Sequence, residues 1–291
     1  MNIKVLLLQG PIVSHGINFL SSLLHASPDE RKRASVAFDA AENIRCLSHV
    51  FRSRGYKVVY SGWSDDTEWI QQHSHMFDAY CINDQKSLPD SVEFQGRRIQ
   101  NNKEKLYFSL VQGLREIERT IGNDCTVVRL RSDVAVDVNE IDKMVLTNAS
   151  YPQSILVEYA NPENVLFVPD FITIADLGTH LRLYENLRRV CRASGGYHIS
   201  SHIDHGIEFL QMLEQGELSQ VVCMSRALHD TMVWRGLPKF YTYASGDPSA
   251  KLLFNCLINY PSGMKSEEVL KSIHPDLAGR LGESTLAASA V

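Results

Sequence analysis

The run Thr126-Val127-Val128-Arg129-Leu130-Arg131-Ser132-Asp133 is apolar and β-branched for most of its length and then breaks into a basic, a hydroxyl and an acidic side chain. It reads as a buried strand that delivers a carboxylate at its end. In open α/β sheets, ligands bind beyond the carboxyl ends of the strands. A carboxylate placed there suits a hard divalent cation that bridges the phosphates of a nucleotide. Two plainer roles stay open for Asp133: capping the next segment, or pairing with Arg131. Asp170, after the apolar stretch Val165–Val168 and Pro169, repeats the pattern.

Other residues bring complementary chemistry. Gln9-Gly10-Pro11 follows an apolar run, and a glycine there lets the backbone approach a base or ribose, or simply makes a tight turn. Asn102 and Lys105 are three apart on a helical stretch, hence on one face, where the lysine would offset phosphate charge or lie in solvent. The segment His198–Glu208 is dense in titratable groups. Its His-Ile-Asp-His order lacks the spacing of a HExxH zinc site, and polar groups ahead of a helix commonly cap it. Glu208, one turn into that helix, is the better general-base candidate. His229-Asp230 could supply a late metal or phosphate contact, or form a surface pair. Neither a GxGxxG fingerprint nor a Walker A sequence occurs, which disfavours the standard dinucleotide and P-loop sites.

Short apolar strands alternating with amphipathic helices must position these groups. Ile3–Leu8, Lys57–Trp63, Asp78–Asp84, the run into Asp133, Ser154–Tyr159, Val165–Val168 and Leu218–Met224 read as strands. Phe38–Arg54, Asn101–Thr120, Asp137–Leu146, Asp176–Arg192 and Ile207–Leu213 carry helical spacing, and Asp176 suits a helix N-terminus. Ser87–Gln100 is polar and reads as irregular. The alternation predicts a three-layer α/β architecture with a largely parallel sheet.

Composition sets the bounds. The 291 residues can bury a large core; 44% are hydrophobic and 22% charged, ordinary for a soluble globular protein. A net charge of −5 with scattered basic residues argues against nucleic-acid binding. Six cysteines without CxxC spacing point to a reducing compartment. No apolar run approaches the ~20 residues of a membrane helix, so the expected location is cytoplasmic, at most peripheral to the inner membrane.

The pieces together resemble the WavE-type lipopolysaccharide-synthesis proteins over about residues 3 to 213. The resemblance lies in Gln9-Gly10-Pro11, Ser61-Gly62-Trp63, Ile82-Asn83-Asp84, the helix Asn102-x-x-Lys105-x-x-x-Ser109-x-x-x-Gly113-Leu114, Arg129-Leu130-Arg131-Ser132-Asp133, Asp170 and Glu208-Phe209-Leu210. It implies a GT-A-like, Rossmann-related α/β/α fold with a mostly parallel central sheet. Residues 1–274 would form one domain and 275–291 a poorly ordered tail. It also implies a glycosyltransferase acting on a bacterial surface glycan, with the Arg-Ser-Asp strand end as counterpart of the Asp-x-Asp metal motif. On this reading Asp133 holds Mn2+ or Mg2+, and His229, beyond the span of the resemblance, is the candidate second ligand. Gln9, Gly10 and Asp84 contact the nucleoside and Lys105 or Arg131 the phosphates, with Pro11 and Asn102 also in the nucleotide-sugar site. Glu208 is the first choice of base and Asp170 the second, or the residue that orients the sugar. Donor and acceptor are a nucleotide sugar and a glycan or glycolipid. The rivals are a non-catalytic nucleotide-sugar-binding subunit and a metal-dependent phosphohydrolase built on Asp133, Asp170 and the His202–Glu208 cluster.

Overall fold

The computed structural model describes residues 2–16, 36–100, 102–151, 153–157, 168–198, 200–224, 228, 232–234 and 237–238. Strand β1 (Ile3–Gln9) lies at the centre of a seven-stranded sheet, between β4 (Lys57–Trp63) and β8 (Cys125–Arg131), both parallel to it. The sheet continues past β4 to β5 (Ala79–Asn83). Past β8 it continues to β11 (Ile172–Asp176), β10 (Ser154–Val157) and β12 (Gln220–Cys223). Only β11 runs against its neighbours, pairing antiparallel with both β8 and β10. The mostly parallel three-layer α/β/α expectation therefore stands, with one antiparallel strand set into it.

Successive strand residues point to opposite faces, and here both faces are covered, so the central strands carry apolar residues on both. On one side Val5, Leu7, Val59 and Val127 pack under α3 (Lys103–Thr120), α5 (Leu177–Ser194) and α6 (Ser201–Glu214). On the other, Leu6, Leu8, Tyr60, Val128 and Leu130 pack under α1 (Ala41–Ser53) and α4 (Val138–Ala149). The helix α2 (Thr67–Gln72) sits after β4. Helix α3 lies tightly on the sheet: a Cβ on Gly113 would stand 2.8 Å from Leu7 Cδ1. Asp176 caps α5 through Thr179 N–H at 2.7 Å, the role its sequence position predicts.

Three expectations change. Ser87–Gln100 contains an ordered hairpin, β6 (Ser91–Phe94) and β7 (Arg97–Gln100). Its two-residue turn is Gln95-Gly96, both at positive φ (51° and 69°). That is the backbone of a type I′ turn, signalled in sequence by Asn-Gly, and glutamine hid it. The helix expected from Phe38 begins at Ala41, because β3 (Val36–Asp39) pairs with β2 (Val13–Gly16) before it. The antiparallel β11 was not foreseen; Thr173 and Ala175 disguise its apolar alternation.

Three short strands, β9 (Val134–Ala135), β13 (Val233–Trp234) and β14 (Leu237–Pro238), make a small antiparallel sheet just beyond the end of β8. Most of the strand expected at Val165–Val168 and the tail 275–291 lie outside the described residues. Among the described residues no helix is long and apolar enough to cross a membrane.

Candidate functional site

The sheet's order turns at β1: the chain first builds outward to β4 and β5, then returns to lay β8 on the opposite side of β1. The crevice beyond the carboxyl ends of β1 and β8 is the topological switch point, where α/β sheets bind ligands. A cavity of about 590 Å³ opens there, within the usual size of a small-molecule site. Gln9, Arg131 and Asp170 form its floor. Trp63, Asp65, Asp66 and Gln85, following β4 and β5, form one wall. Asn102, Lys103 and Lys105, at the start of α3, form the other. The cavity is thus polarised, acidic on the β4 side and basic on the α3 side.

The floor is an ordered charge network. Arg131 grips Asp133 with a fork: Nε donates to Oδ1 and NH2 to Oδ2, both at 2.9 Å. Ser14 Oγ also donates to Asp133 Oδ2 at 2.9 Å. The remaining arm of Arg131, NH1, donates to Asp170 Oδ1 at 3.2 Å, and the guanidinium lies 5.0 Å from the centre of the Phe171 ring. Burial alone would raise the Asp170 carboxyl, but His202, Arg131 and Arg129 outweigh it and hold the group well below the usual carboxylate range. His202 Nδ1 stands 3.6 Å from Asp170, and its own basicity is lowered, first by burial.

Directly beneath, Arg129 is fully buried on β8. Its NH2 donates to Gln9 Oε1 at 3.0 Å and NH1 to the Asp170 carbonyl. Gln9 Nε2 donates to Ser109 Oγ at 2.8 Å, so the amide spans β8 and α3. One buried arginine therefore ties the end of β1 to the segment entering β11.

The α3 wall contradicts ordinary helix design. Cations in a first helical turn oppose the macrodipole, yet Lys103 and Lys105 both sit there, and Asn102 makes no side-chain cap. Lys103 is held by the buried Asp204, 2.7 Å away. Lys105 pairs with Asp90, whose side chain is 74% exposed; such a solvated pair contributes little.

The sequence candidates divide accordingly. Gln9, Pro11, Asn102, Lys105, Arg131 and Asp170 come together in the cleft. Gly10 lies beneath it: at φ 137° an added Cβ would stand 2.5 Å from Ser132 Oγ, so the close approach it permits is to β8 and not to a ligand. Asp84 turns away, accepting a bond from Lys86 N–H at 3.0 Å to start a short 3-10 turn. Asp133 is buried behind Arg131 and does not line the cavity.

Glu208 does not line it either. Its carboxyl lies between α5 and α6, 2.9 Å from Asn186 Nδ2 and 2.8 Å from Tyr197 Oη. Burial pushes its pKa up to about 7 against those hydrogen bonds. His229 lies outside the described residues. Sequence reading passed over Asp65, Asp66 and Lys103. The first two follow β4 as Asp133 follows β8, so the strand-end rule applied to Trp63-Ser64-Asp65-Asp66 would have found them.

As arranged, these residues do not compose a cation site. Among the described residues no three His, Cys, Asp or Glu side chains converge for a metal, and both oxygens of Asp133 are already engaged by Arg131 and Ser14. The constellation a two-metal phosphohydrolase would need is likewise not assembled, because Glu208 bonds elsewhere.

No family model matches the chain, and no match to a curated protein was found. Several solved structures are similar. A nucleotidyl transferase from Methanothermobacter thermautotroptrophicus is 13% identical over 87% of this chain and 95% of that one, with a TM-score of 0.46. The 4-diphosphocytidyl-2C-methyl-D-erythritolsynthase from Anaerococcus prevotii is 12% identical over 78% and 91%, at 0.41. The mannose-1-phosphate geranyltransferase from Thermus thermophilus is 9% identical over 71% and 67%, at 0.38. With TM-scores this low, none of the three bears on the activity of this chain.

Proposed function

We propose that the chain is a glycosyltransferase that binds a nucleotide-sugar donor in the switch-point cleft and transfers the sugar to a glycan or glycolipid acceptor. The observation that carries this reading is the polarised cleft, with Lys105 in the first turn of α3 and Arg131 on the floor both lining it. Lys103 is neutralised by Asp204, but Lys105, a cation that works against the helix dipole with only a solvated partner, is explained by an anionic ligand, which gains from that lysine and the N–H groups of the turn. A nucleoside has many hydroxyl and amino donors, and these suit the acidic Asp65–Asp66 wall. The diphosphate then falls between α3 and Arg131, and the sugar beside Asp170.

Asp170 stays ionised and is a weak base. Its role is to hold sugar hydroxyls and to stabilise positive charge developing at the anomeric carbon. Arg131 and Lys105 stabilise the departing diphosphate. The bacterial surface glycan as acceptor follows from the resemblance in the sequence alone. No step is routed through a metal.

The test is a thermal-shift panel of UDP, CDP, GDP and their sugar conjugates, each with EDTA or with Mn2+. A ligand at 100 times its Kd adds about 2.7 kcal/mol of stability. Indifference to every nucleotide under both conditions removes the proposal. Slow donor hydrolysis by the purified protein separates an enzyme from a non-catalytic binding subunit.

A further inference from the structure

We infer that Asp133 is a positioning residue for Arg131, and that the Arg131 guanidinium, in place of a divalent cation, contacts the diphosphate of the donor. This deepens the reading above and rests on it. Its starting point is a division of labour at the strand end. Asp133 is 3% exposed and does not line the cavity; Arg131, with 21% of its side chain exposed, does. A ligand entering the cleft meets the arginine first.

The guanidinium is locked in place. Its Nε and NH2 match both oxygens of Asp133 at 2.9 Å, NH1 reaches Asp170 at 3.2 Å, and Phe171 lies 5.0 Å from it. A fork held on one edge by a carboxylate is pre-organised to meet another planar or tetrahedral anion, and less side-chain freedom is lost when it does. Ser14 Oγ also holds the carboxylate, donating to Oδ2 at 2.9 Å, so the aim of Arg131 is set by two elements, β2 and β8.

Mg2+ and Mn2+ bind through hard oxygen ligands. At Asp133 such an ion would compete with Arg131 for Oδ1, and with both Arg131 and Ser14 for Oδ2. It would find no group of three acidic, His or Cys side chains among the described residues.

Charge around the cleft supports the same assignment. Arg129, fully buried beneath the floor, places a second guanidinium under the site. Together Arg129 and Arg131 balance Asp133 and Asp170. Lys105, whose partner Asp90 is largely in solvent, can turn to a phosphate at little cost. The diphosphate would thus be held by protein cations and the first turn of α3.

The experiment is calorimetric titration of UDP, CDP and GDP, and of the matching nucleosides without phosphate. It is run on the full chain in EDTA and in Mn2+, with Arg131→Lys and Asp133→Asn alongside. The expected result is that wild-type affinity for the preferred diphosphate is the same with and without chelator. Both variants lose about 10-fold or more of it under both conditions, the size of one charge-assisted pair. Affinity for the free nucleoside stays unchanged, which a general loss of structure would not allow. Arg131→Lys keeps the charge and loses only the fork, so it carries the test if Asp133→Asn fails to fold.

Diphosphate binding that needs Mn2+ in the wild type, with the Mn2+ effect lost in Asp133→Asn, overturns this inference and leaves the transferase reading intact. Absence of any nucleotide binding to the wild type, with and without Mn2+, overturns both.

Discussion

Asp170 and Glu208 are buried to nearly the same degree, 4% and 2% exposed, yet their pKa values move in opposite directions. Asp170, on the cleft floor, faces Arg131 and Arg129, whose charge holds it ionised despite burial, with His202 adding to this when protonated. Glu208, between α5 and α6, has only neutral hydrogen-bond partners, and burial carries its pKa to about 7. Tyr197 Oη lies 2.8 Å from Glu208 and 2.6 Å from Gln211 Oε1. A phenol has one proton to give. Its donation to Glu208 opposes the burial that raises that carboxyl, and Gln211 competes for the same proton. Burial alone therefore does not make a carboxyl functional; the charge of its neighbours decides whether it remains an anion that can act.

Exchanging Asp170 for Asn tests the cleft side of this contrast and should have the largest effect. Turnover is expected to fall about 10²-fold or more, as when one preorganised electrostatic group is removed. Steady-state kinetics with the donor identified by the thermal-shift panel decide it, and near-normal turnover would break the assignment.

The complementary change, Glu208→Gln, should leave turnover within about two-fold of wild type and act on stability instead. The folded pKa of Glu208 is raised, so between about 4.5 and 7 the unfolded chain ionises first, and stability drains away as pH rises. Glutamine mimics the neutral acid and removes this penalty, on the order of 3 kcal/mol above pH 7. Urea melts at pH 5 and pH 8 should converge for the variant.

His205 sharpens the contrast with the opposite sign. Buried among Tyr107, Tyr184 and Phe209, it has a pKa lowered to about 4, mainly by burial. The unfolded chain takes up the proton first as pH falls below about 6.5, so stability is lost on that acid limb. His205→Gln should flatten the limb by on the order of 3 kcal/mol, again by urea melts.

The smallest effect is expected for Lys105→Ala. Stability should hold, because its partner is solvated. Affinity for the nucleoside diphosphate should drop by about 10-fold, the size of one charge-assisted contact. A stability loss without an affinity change would move Lys105 out of the phosphate site.

Much of the fold was readable because strand and helix periods leave a local trace. The strand Lys57–Trp63 has the same bounds in sequence and structure, and the run into Asp133 ends its ladder at Arg131. The hairpin Ser91–Gln100 escaped because its turn uses Gln95-Gly96. Part of the site was equally readable: Gln9 and Arg131 sit at the carboxyl ends of parallel strands, which open to one rim, whereas Asp170 reaches that rim from the start of the antiparallel β11. Glu208 misled for a reason sequence cannot reveal. Helical spacing places it on a face, but α6 is buried nearly all round, and which of its polar residues meets the cleft depends on where α5 lies.

By itself the sequence determined the order of elements, the two-sided burial of the central strands and the rim on which chemistry-bearing residues gather, since each follows from spacing along the chain. Only the tertiary structure decided the partners: that Asp133 is clasped by Arg131 and Ser14, that Arg129 joins Gln9 to the approach of β11, and that β11 runs antiparallel. Protonation and role depend on partners brought together from far apart in the chain, such as Gln9 and Arg129, 120 residues apart, and no local pattern records them.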